Sequence, residues 1–586
     1  MIAGGLAKHD EVSTDVVDDA PKAQAPSSVM RRIDGVLGLL TLYLVVMAIL
    51  TWPLVTSIGT HHLLSWWGTP FDLYQGAWAM AWQTDVLFHR SAVMADANIY
   101  FPDHGALFFG QTGWGALPLF APAYLLTRNP TYAINLTFLF GVALTACGIH
   151  LVVRRWTGST IAGGVAAATF VTNPWMTTWF GPTAPQWAAL MWLPWIALVA
   201  SRRPMCVVDA VWLALLVALQ MLTDPVYLLP GLLVPLGVHA VMRIARAETR
   251  ADGLRMAAAM ACAALLMIPF LLPYLRVSAA NPDLAKQTNW ADTFAAIPLS
   301  SGHSMYVAPI TALLLLVGIG CVLFRGRREQ GAVPGAWATA SVWALVGFLL
   351  ALPPNLVIGG VGGWRFPTPM GVLQALIPAT ATLRASSRLA VAGLIGLAML
   401  SGLAFAAIHR LVVARIHDRQ VLGVVTVALM ALYLSTLVDT SFGGDARWPR
   451  NLKEAPTIPP SFELFLRLPR RSLLQLPLGA RDGTPAPHAV AMYRSIGRWY
   501  SLINGYASYW PKDFPSRMRL ARHVPDPDAT QELVRRAGLG FVWVDLPLFT
   551  RHERKRWDRL IARGGNGLML VAKTQDSVLY LVAPTR

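Results

Sequence analysis

The chain has 586 residues, of which 55% are hydrophobic and only 13% are charged, and its formal net charge is +17. Because an ordinary soluble domain carries about 25% charged residues, this composition excludes a disordered chain, a coiled coil and a nucleic-acid-binding arm, and it argues against a wholly soluble enzyme. Long apolar blocks recur along the sequence, so we expect an α-helical protein that crosses a membrane several times.

Residues 1–33 are polar and of mixed charge, which predicts a disordered tail. They contain no short basic segment followed by an apolar core and a small-residue cleavage site, as a secretory signal peptide would. Arg31 and Arg32 precede the first apolar block. Because positively charged residues stay on the cytoplasmic side of a membrane, we expect a cytoplasmic N-terminus.

Residues 34–439 contain eleven apolar blocks that are long enough to span a bilayer, so we expect this region to form the transmembrane domain. These eleven blocks are 35–55, 131–153, 159–175, 186–201, 206–223, 226–242, 254–275, 305–324, 336–353, 389–408 and 421–438. Segment 106–126 is also apolar, but glycines and prolines interrupt it. With eleven spans every arginine-rich turn is cytoplasmic, whereas a twelfth span at 106–126 would place these turns outside. The sequence therefore favours eleven spans, with 106–126 at the outer surface.

This topology places the long first loop, 57–130, and the polar region 440–586 on the outer side. Region 440–586 is predicted to form a small extracytoplasmic α/β domain. Its predicted strands are 471–478, 541–545, 568–572 and 578–582, the last two as a hairpin, and its predicted helices are 459–468, 529–537 and 551–563. The region holds 23 basic and 12 acidic side chains, so +11 of the net charge lies here. Positive charge outside the membrane suits anionic lipid headgroups or a phosphate-bearing ligand.

The first outer loop contains a carboxylate followed by a tryptophan pair. Trp78 and Trp82 are four residues apart, so they share one face of a helix. Since tryptophan favours the membrane interface, we expect this helix to lie flat at the outer surface. Asp72, just ahead of the pair, suits either a helix N-cap or a general base in a cavity.

A second polar pattern in this loop contains Asp96, Asn98, Asp103 and His104. Asp96 and Asn98 suit a turn. Two acidic residues and a histidine within a short stretch also suit a divalent cation or a polar substrate. No spacing here matches a strong metal-binding motif.

Several segments resemble the GT-C superfamily of bacterial membrane glycosyltransferases. They are "TWPLVTSIGTH", the Asp72 and tryptophan-pair segment, "DANIYFPDHGAL", "LLPYLR", "LRASSRLA", "MYRSIGRWYSLINGYASYWP" and "AGLGFVWVD". Each motif is loose, but together they cover most of the chain. The resemblance implies an inverting transferase of the bacterial inner membrane, which uses a polyprenyl-phosphate sugar donor at the outer face.

The resemblance also implies roles for individual residues. In this superfamily an acidic residue of the first outer loop is the catalytic base or a metal ligand, which points to Asp72 and next to Asp96. The sequence departs from the pattern where Gly-Thr-Pro-Phe-Asp72 replaces the usual Gly-Asp, and where Gln111 stands in place of a frequent Glu. Because an amide is a poor ligand for a hard cation, a requirement for Mg²⁺ or Mn²⁺ is left open. Its ligands would be Asp72, Asp96 and Asp103.

A leaving lipid phosphate develops negative charge, which guanidinium groups suit. The outer arginines expected to bind it are Arg276, Arg365, Arg384 and Arg388. Snorkelling at the membrane interface is the alternative explanation for them. The residues expected to line the substrate site are Gln111, Asp224, Trp290 and His303. The aromatic, amide-rich segment 492–511 suits carbohydrate or packing of the outer domain.

The sequence thus predicts a membrane glycosyltransferase that acts on a cell-envelope glycan, lipid or protein, with membrane lipids and a lipid-linked donor as its partners and no nucleic acid. Two alternatives stay open: a transporter of lipid-linked glycans, and a non-catalytic envelope scaffold. The scarcity of ionisable residues within the apolar blocks argues against an ion-driven pump.

Overall fold

A computed structural model describes residues 35–583, except for a set of short segments: 65–69, 177–180, 186–190, 224–227, 282–284, 287–306, 326–334, 359–363, 377–385, 443–447, 459–461, 463–464, 466–467, 469–470, 480–483 and 564–566. The first half of the chain contains helices α1 Val36–Leu50, α2 Phe71–Phe88, α3 Leu117–Thr127, α4 Pro130–Thr157, α5 Thr160–Val171, α6 Trp192–Ala200, α7 Val207–Thr223, α8 Leu228–Ile244 and α9 Arg250–Ala280, with the short strands β1 His61–Leu63 and β2 Ala285–Lys286. The second half contains α10 Pro309–Arg325, α11 Ala336–Leu350, β3 Asn355–Ile358, β4 Trp364–Pro367, α12 Pro369–Leu376, α13 Ala390–Arg415, α14 Arg419–Phe442, β5 Leu452–Glu454, β6 Ser472–Leu476, α15 Pro485–Arg494, β7 Tyr509–Trp510, α16 Phe514–Ala521, α17 Pro527–Ala537, β8 Leu539–Asp545, α18 Arg551–Ala562, β9 Leu568–Lys573 and β10 Ser577–Val582.

The apolar helices pack closely where small residues meet. A Cβ atom on Gly396 of α13 would lie 2.2 Å from the backbone of Ala344 in α11, and one on Gly347 of α11 would lie 2.1 Å from the backbone of Gly393. Glycine at these positions lets the two backbones approach, which is how helices associate in a lipid environment that offers no hydrophobic driving force.

Each of the eleven predicted blocks contains a helix. Among the described residues, three helical segments are long and apolar enough to cross a membrane, namely Pro130–Thr157, Ala247–Ala280 and Ala390–Arg415. The other apolar helices are shorter, so the count of eleven spans stays a prediction. Segment 106–126 forms two short 3-10 turns and almost all of α3, whose 11 residues fall short of the roughly 20 that a span requires.

The C-terminal region contains a four-stranded sheet in the order β6–β8–β10–β9. Strand β6 runs parallel to β8, and the other pairs are antiparallel. The strands predicted from the sequence are confirmed, including the β9–β10 hairpin. Helices α17 and α18 cover the two predicted helical stretches at 529–537 and 551–563, and the predicted helix at 459–468 lies largely outside the described residues. All seven residues of β8 are buried, which explains its apolar run from Leu539 to Val544.

Loop 57–130, the predicted first outer loop, and the C-terminal region share one hydrophobic core. Strand β1 of the loop pairs with β5. Farther along, the backbone of Leu502 donates to the Asn98 carbonyl at 2.7 Å, and that of Phe101 donates to the Leu502 carbonyl at 3.0 Å. The loop is therefore an integral part of the folded core that it shares with the C-terminal region.

This packing corrects the expectation that Trp78 and Trp82 contact the membrane interface, whereas the orientation of their helix relative to a membrane stays a prediction. Helix α2 has 18 residues, and Trp78 and Trp82 are each only 2% exposed. They do share one face, as predicted. Their indole N–H groups donate within the protein, to Asn98 Oδ1 and to the Met94 carbonyl, each at 2.9 Å. Because these partners satisfy the indoles, burial replaces the headgroup contacts that were expected.

Candidate active site

Asp72 lies in the first turn of α2, which begins at Phe71 with Pro70 as its N-cap. The carboxylate makes no capping bond. Its Oδ1 instead accepts a hydrogen bond from the Tyr506 hydroxyl at 2.8 Å. Asp72 is therefore not a helix cap. Its carboxylate is bound by another side chain, which leaves the role of general base open. The positive end of the helix dipole favours a carboxylate there.

Tyr506 reaches Asp72 because its neighbours are fixed. Asn504 accepts from the Gln475 backbone N–H at 2.8 Å and donates to the Gln475 carbonyl at 2.9 Å. A Cβ atom on Gly505 would lie 2.3 Å from the ring of buried Tyr100, so only glycine fits there. The Tyr506 ring then meets Phe71 edge to face, with the centroids 5.5 Å apart. The C-terminal region thus holds the carboxylate of the outer loop.

The environment of Asp72 affects its ionisation in opposing ways. Burial raises the pKa of the Asp72 carboxyl, and the charge of Arg388 and the hydrogen bond from Tyr506 lower it, with burial dominant. Burial also raises the pKa of Tyr506 well above its ordinary value, and the neighbouring Asp72 charge adds to that effect. Tyr506 is therefore a donor, and Asp72 is a carboxyl group with increased proton affinity.

Arg388 is the predicted phosphate-binding arginine that the structure brings to Asp72. It lies half-buried in the 3-10 turn Ser386–Leu389, directly before α13, and its charge acts on both Asp72 and Tyr506. Arg276 is exposed on α9, and Arg365 is exposed on β4. Arg384 lies outside the described residues.

Asp96 and Asp103 hold the loop that follows α2. Asp96 accepts from the Gly105 backbone N–H at 2.8 Å and lies 3.3 Å from His104 Nδ1. Asp103 forms an ion pair with Arg517 of α16, whose side chain is only 3% exposed. Both carboxylates therefore stabilise the conformation of the loop. For Asp96, this agrees with the expectation that it forms part of a turn. The described contacts of Asp96 do not support the catalytic role predicted for it.

The same loop was the predicted metal site. In the part of the chain that the structure describes, no group of three or more His, Cys, Asp or Glu side chains could hold a metal ion. The three candidate ligands each engage different partners, Asp72 with Tyr506, Asp96 with Gly105 and His104, and Asp103 with Arg517. These residues do not fit a shared metal centre.

Gln111 is the predicted substrate-lining residue that falls within the described residues, and it is half-buried. It follows Gly110, whose carbonyl accepts from the Tyr274 hydroxyl at 3.1 Å. Tyr274 belongs to the "LLPYLR" segment, so that motif anchors the loop to α9. Asp224, Trp290 and His303 lie outside the described residues.

Sequence reasoning missed a second carboxylate, Asp85, near the end of α2. It is buried and accepts hydrogen bonds from Tyr124 Oη at 3.2 Å, Arg128 Nη1 at 2.8 Å and Trp499 Nε1 at 2.8 Å. A signal existed in the sequence, since Asp85 stands seven residues after Trp78 and three after Trp82, on the same helix face.

No protein-family model and no curated protein matches the chain. Among solved structures it is similar to the arabinofuranosyltransferase AftD from Mycobacteria, with a TM-score of 0.50 and 16% identity over 93% of this chain and 40% of that one. A mutant form of AftD gives a TM-score of 0.57 and 15% identity over 93% of this chain and 41% of the other. ArnT from Cupriavidus metallidurans, bound to undecaprenyl phosphate, gives a TM-score of 0.45 and 14% identity over 94% of this chain and 100% of that one.

The chain therefore spans about two fifths of the length of AftD. At this identity the likeness concerns the fold. The chain shares the fold of the part of AftD that it matches.

Proposed function

We propose that this protein transfers a sugar from a polyprenyl-phosphate donor to a cell-envelope acceptor at the outer face of the membrane, with Asp72 as the general base. The observation that carries the proposal is the environment of Asp72. This carboxyl group is half-buried on the first outer loop, is held by Tyr506 and lies in the field of Arg388. The fold shared with AftD and the resemblance to the GT-C superfamily support the same reaction class.

In the proposed reaction, an acceptor hydroxyl oxygen attacks the anomeric carbon of the donor sugar. The new carbon–oxygen bond forms as the bond from the anomeric carbon to the phosphate oxygen breaks, and polyprenyl phosphate leaves with that electron pair. The hydroxyl proton passes to Asp72. A positioned base of this kind typically contributes 10²–10⁴-fold to the rate.

The surroundings of Asp72 suit this role. A base works best when its pKa approaches the operating pH, and burial raises the pKa of Asp72 in that direction. Tyr506 donates to Oδ1, so the second carboxylate oxygen is the natural proton acceptor. Arg388 would stabilise the charge that develops on the leaving phosphate, a role for which a guanidinium group is well suited.

The test compares wild-type protein with Asp72→Asn in nanodiscs, with a panel of polyprenyl-phosphate sugars and envelope acceptors. We expect the wild type to transfer sugar and Asp72→Asn to lose at least 10²-fold of the activity. The matched control is Asp96→Asn, an exposed carboxylate of the same loop, whose amide oxygen can still accept from Gly105. We expect the control to retain wild-type activity.

Equal activity in Asp72→Asn and wild type would remove Asp72 from the mechanism. Loss of activity in Asp96→Asn alone would move the role of base to that residue. Absence of transfer by folded wild type across the whole panel would contradict the proposal and favour a transporter or a scaffold.

A further inference from the structure

A cavity separate from Asp72 lies at the junction of the first outer loop with the C-terminal region. Its volume is about 770 Å³, within the range typical of ligand sites. The lining combines the end of α2, the turn between α3 and α4, and two segments of the C-terminal region, 456–458 and 493–498. The charged groups among its lining residues are Asp85, Arg128, Arg494 and Arg498.

The backbone is strained around this cavity. Non-glycine residues with positive φ are uncommon, and two of the three that the structure describes are Arg128 at 52° and Trp499 at 49°. Both donate hydrogen bonds to Asp85. Gly497, which lines the cavity between them, has a φ of 77°. Strained residues cluster at sites with a function and persist only where the surrounding contacts hold them.

Positively charged side chains outnumber negatively charged ones in the cavity lining. Three guanidinium groups stand against one lining carboxylate. Arg128 is neutralised by Asp85, and Arg494 by Asp545, which lies 2.6 Å from Arg494 Nη1. Arg498 is exposed, and its side chain makes no hydrogen bond or ion pair among the described residues. The cavity therefore keeps a surplus positive charge at Arg498.

A polar group two residues after Arg498 also lacks a hydrogen-bond partner among the described residues. The Tyr500 hydroxyl is buried and has no hydrogen-bond partner among the described residues, and it lies within the fields of Arg494 and Arg498. Buried polar groups are normally hydrogen-bonded, so this hydroxyl is an exception close to the cavity, although Tyr500 is not itself a lining residue.

From this cavity, its strained rim and its surplus guanidinium, we infer a binding site for an acidic saccharide, that is, a glycan segment bearing carboxylate or phosphate groups. Arg498 binds the acidic group, and the arginine–carboxylate pairs with the Gly497 turn bind hydroxyl groups. This inference rests on the proposed function, whose acceptor it specifies. Asp85 lies 13 residues after Asp72 on one helix, so the cavity is about 20 Å from the catalytic carboxylate. A ligand that occupies both places is an extended glycan rather than a single sugar.

The test measures binding of full-length protein in nanodiscs to an array of envelope oligosaccharides, in which each uronate- or phosphate-bearing member is paired with its neutral counterpart. We expect the wild type to bind at least one acidic member about tenfold more tightly than its neutral partner, as a charge-assisted hydrogen bond predicts. Arg498→Ser should remove this preference, and Arg498→Lys should restore part of it. The matched control Arg556→Ser, at an exposed arginine of α18, should bind like wild type.

Binding of acidic members no tighter than neutral ones, or an Arg498→Ser variant that binds like wild type, would overturn the inference. So would Arg498-dependent enrichment of phosphatidylglycerol around the protein in place of glycan binding, since Pro130 and Thr131 of the lining begin an apolar helix. Asp72→Asn should bind glycan normally. Glycan binding without sugar transfer would therefore contradict the proposed function alone, and transfer with an unchanged KM in Arg498→Ser would contradict this inference alone.

Discussion

Tyr506 and Asp72 are 434 residues apart in the chain, and the phenolic hydroxyl of one donates to the carboxylate of the other at 2.8 Å. The bond joins the C-terminal region to the first outer loop. Because a hydrogen bond to a carboxylate favours its ionised form, a residue far along the chain affects when Asp72 can accept a proton.

Tyr506→Phe is therefore expected to change the pH dependence of sugar transfer. Burial already raises the pKa of Asp72, so transfer should fall on the acidic side at a higher pH than an ordinary aspartate would give. The lost hydrogen bond raises that pKa further, so the acidic limb of kcat/KM should move to still higher pH in the variant. Tyr132→Phe serves as the control, because the hydrogen bond of Tyr132 to Asn129 runs through its backbone N–H, which the substitution leaves in place. An acidic limb that stays in place in Tyr506→Phe would separate Tyr506 from the ionisation of Asp72.

Gly505→Ala is expected to displace Tyr506. The added methyl group would lie 2.3 Å from the Tyr100 ring, which is fully buried and cannot yield cheaply. We expect a loss of stability of about 1–3 kcal/mol together with reduced transfer. Gly164→Ala is the matched control, since a Cβ atom at Gly164 meets no atom within 4 Å. Both properties are measured by thermal unfolding and transfer assays in nanodiscs. Wild-type values in Gly505→Ala would mean that the segment adapts without moving Tyr506.

Asp103→Asn is expected to destabilise the protein without a specific effect on chemistry. The variant leaves Arg517, whose side chain is 3% exposed, without its ionised partner. Removing one member of a buried ion pair costs about 3–5 kcal/mol. Asp96→Asn removes only an exposed charge, so its cost should stay below about 1 kcal/mol. Unfolding measured with both variants distinguishes the two, and equal stabilities would show that the Arg517 pair does not hold the loop.

The predicted topology is tested with single cysteines in a background free of the four native ones. Asp528→Cys lies at an exposed position of α17, and His417→Cys lies at an exposed position of the turn between α13 and α14. An impermeant maleimide should label Asp528→Cys in intact cells and His417→Cys only after permeabilisation. The reverse pattern would place the C-terminal region in the cytoplasm, away from a donor at the outer face.

Local patterns predicted much of the secondary structure. The alternation and apolar runs of the C-terminal region marked its four sheet strands, because side-chain periodicity depends only on neighbouring residues. The same reasoning placed Trp78 and Trp82 on one helix face. The sequence did not reveal what that helix face contacts. The N–H group of an indole can donate equally well to a lipid headgroup or to Asn98, and only the packing of the loop decides between these partners.

The candidate site shows the same division. A carboxylate ahead of a tryptophan pair, together with the family resemblance, was enough to select Asp72. Asp85 was overlooked because its donors, Arg128 and Trp499, come from 43 and 414 residues away. Contacts over such separations leave no period in the sequence.

The low charge fraction and the recurring apolar blocks determined by themselves that this is a helical membrane protein, because the transfer of apolar side chains from water depends on composition alone. Tertiary structure alone decided that Tyr506 and Arg388 act on Asp72, and that Asp96 and Asp103 serve their own loop. Those outcomes depend on which distant segments the folded core brings within hydrogen-bond distance, and that is a property of the whole packing rather than of any one stretch of sequence.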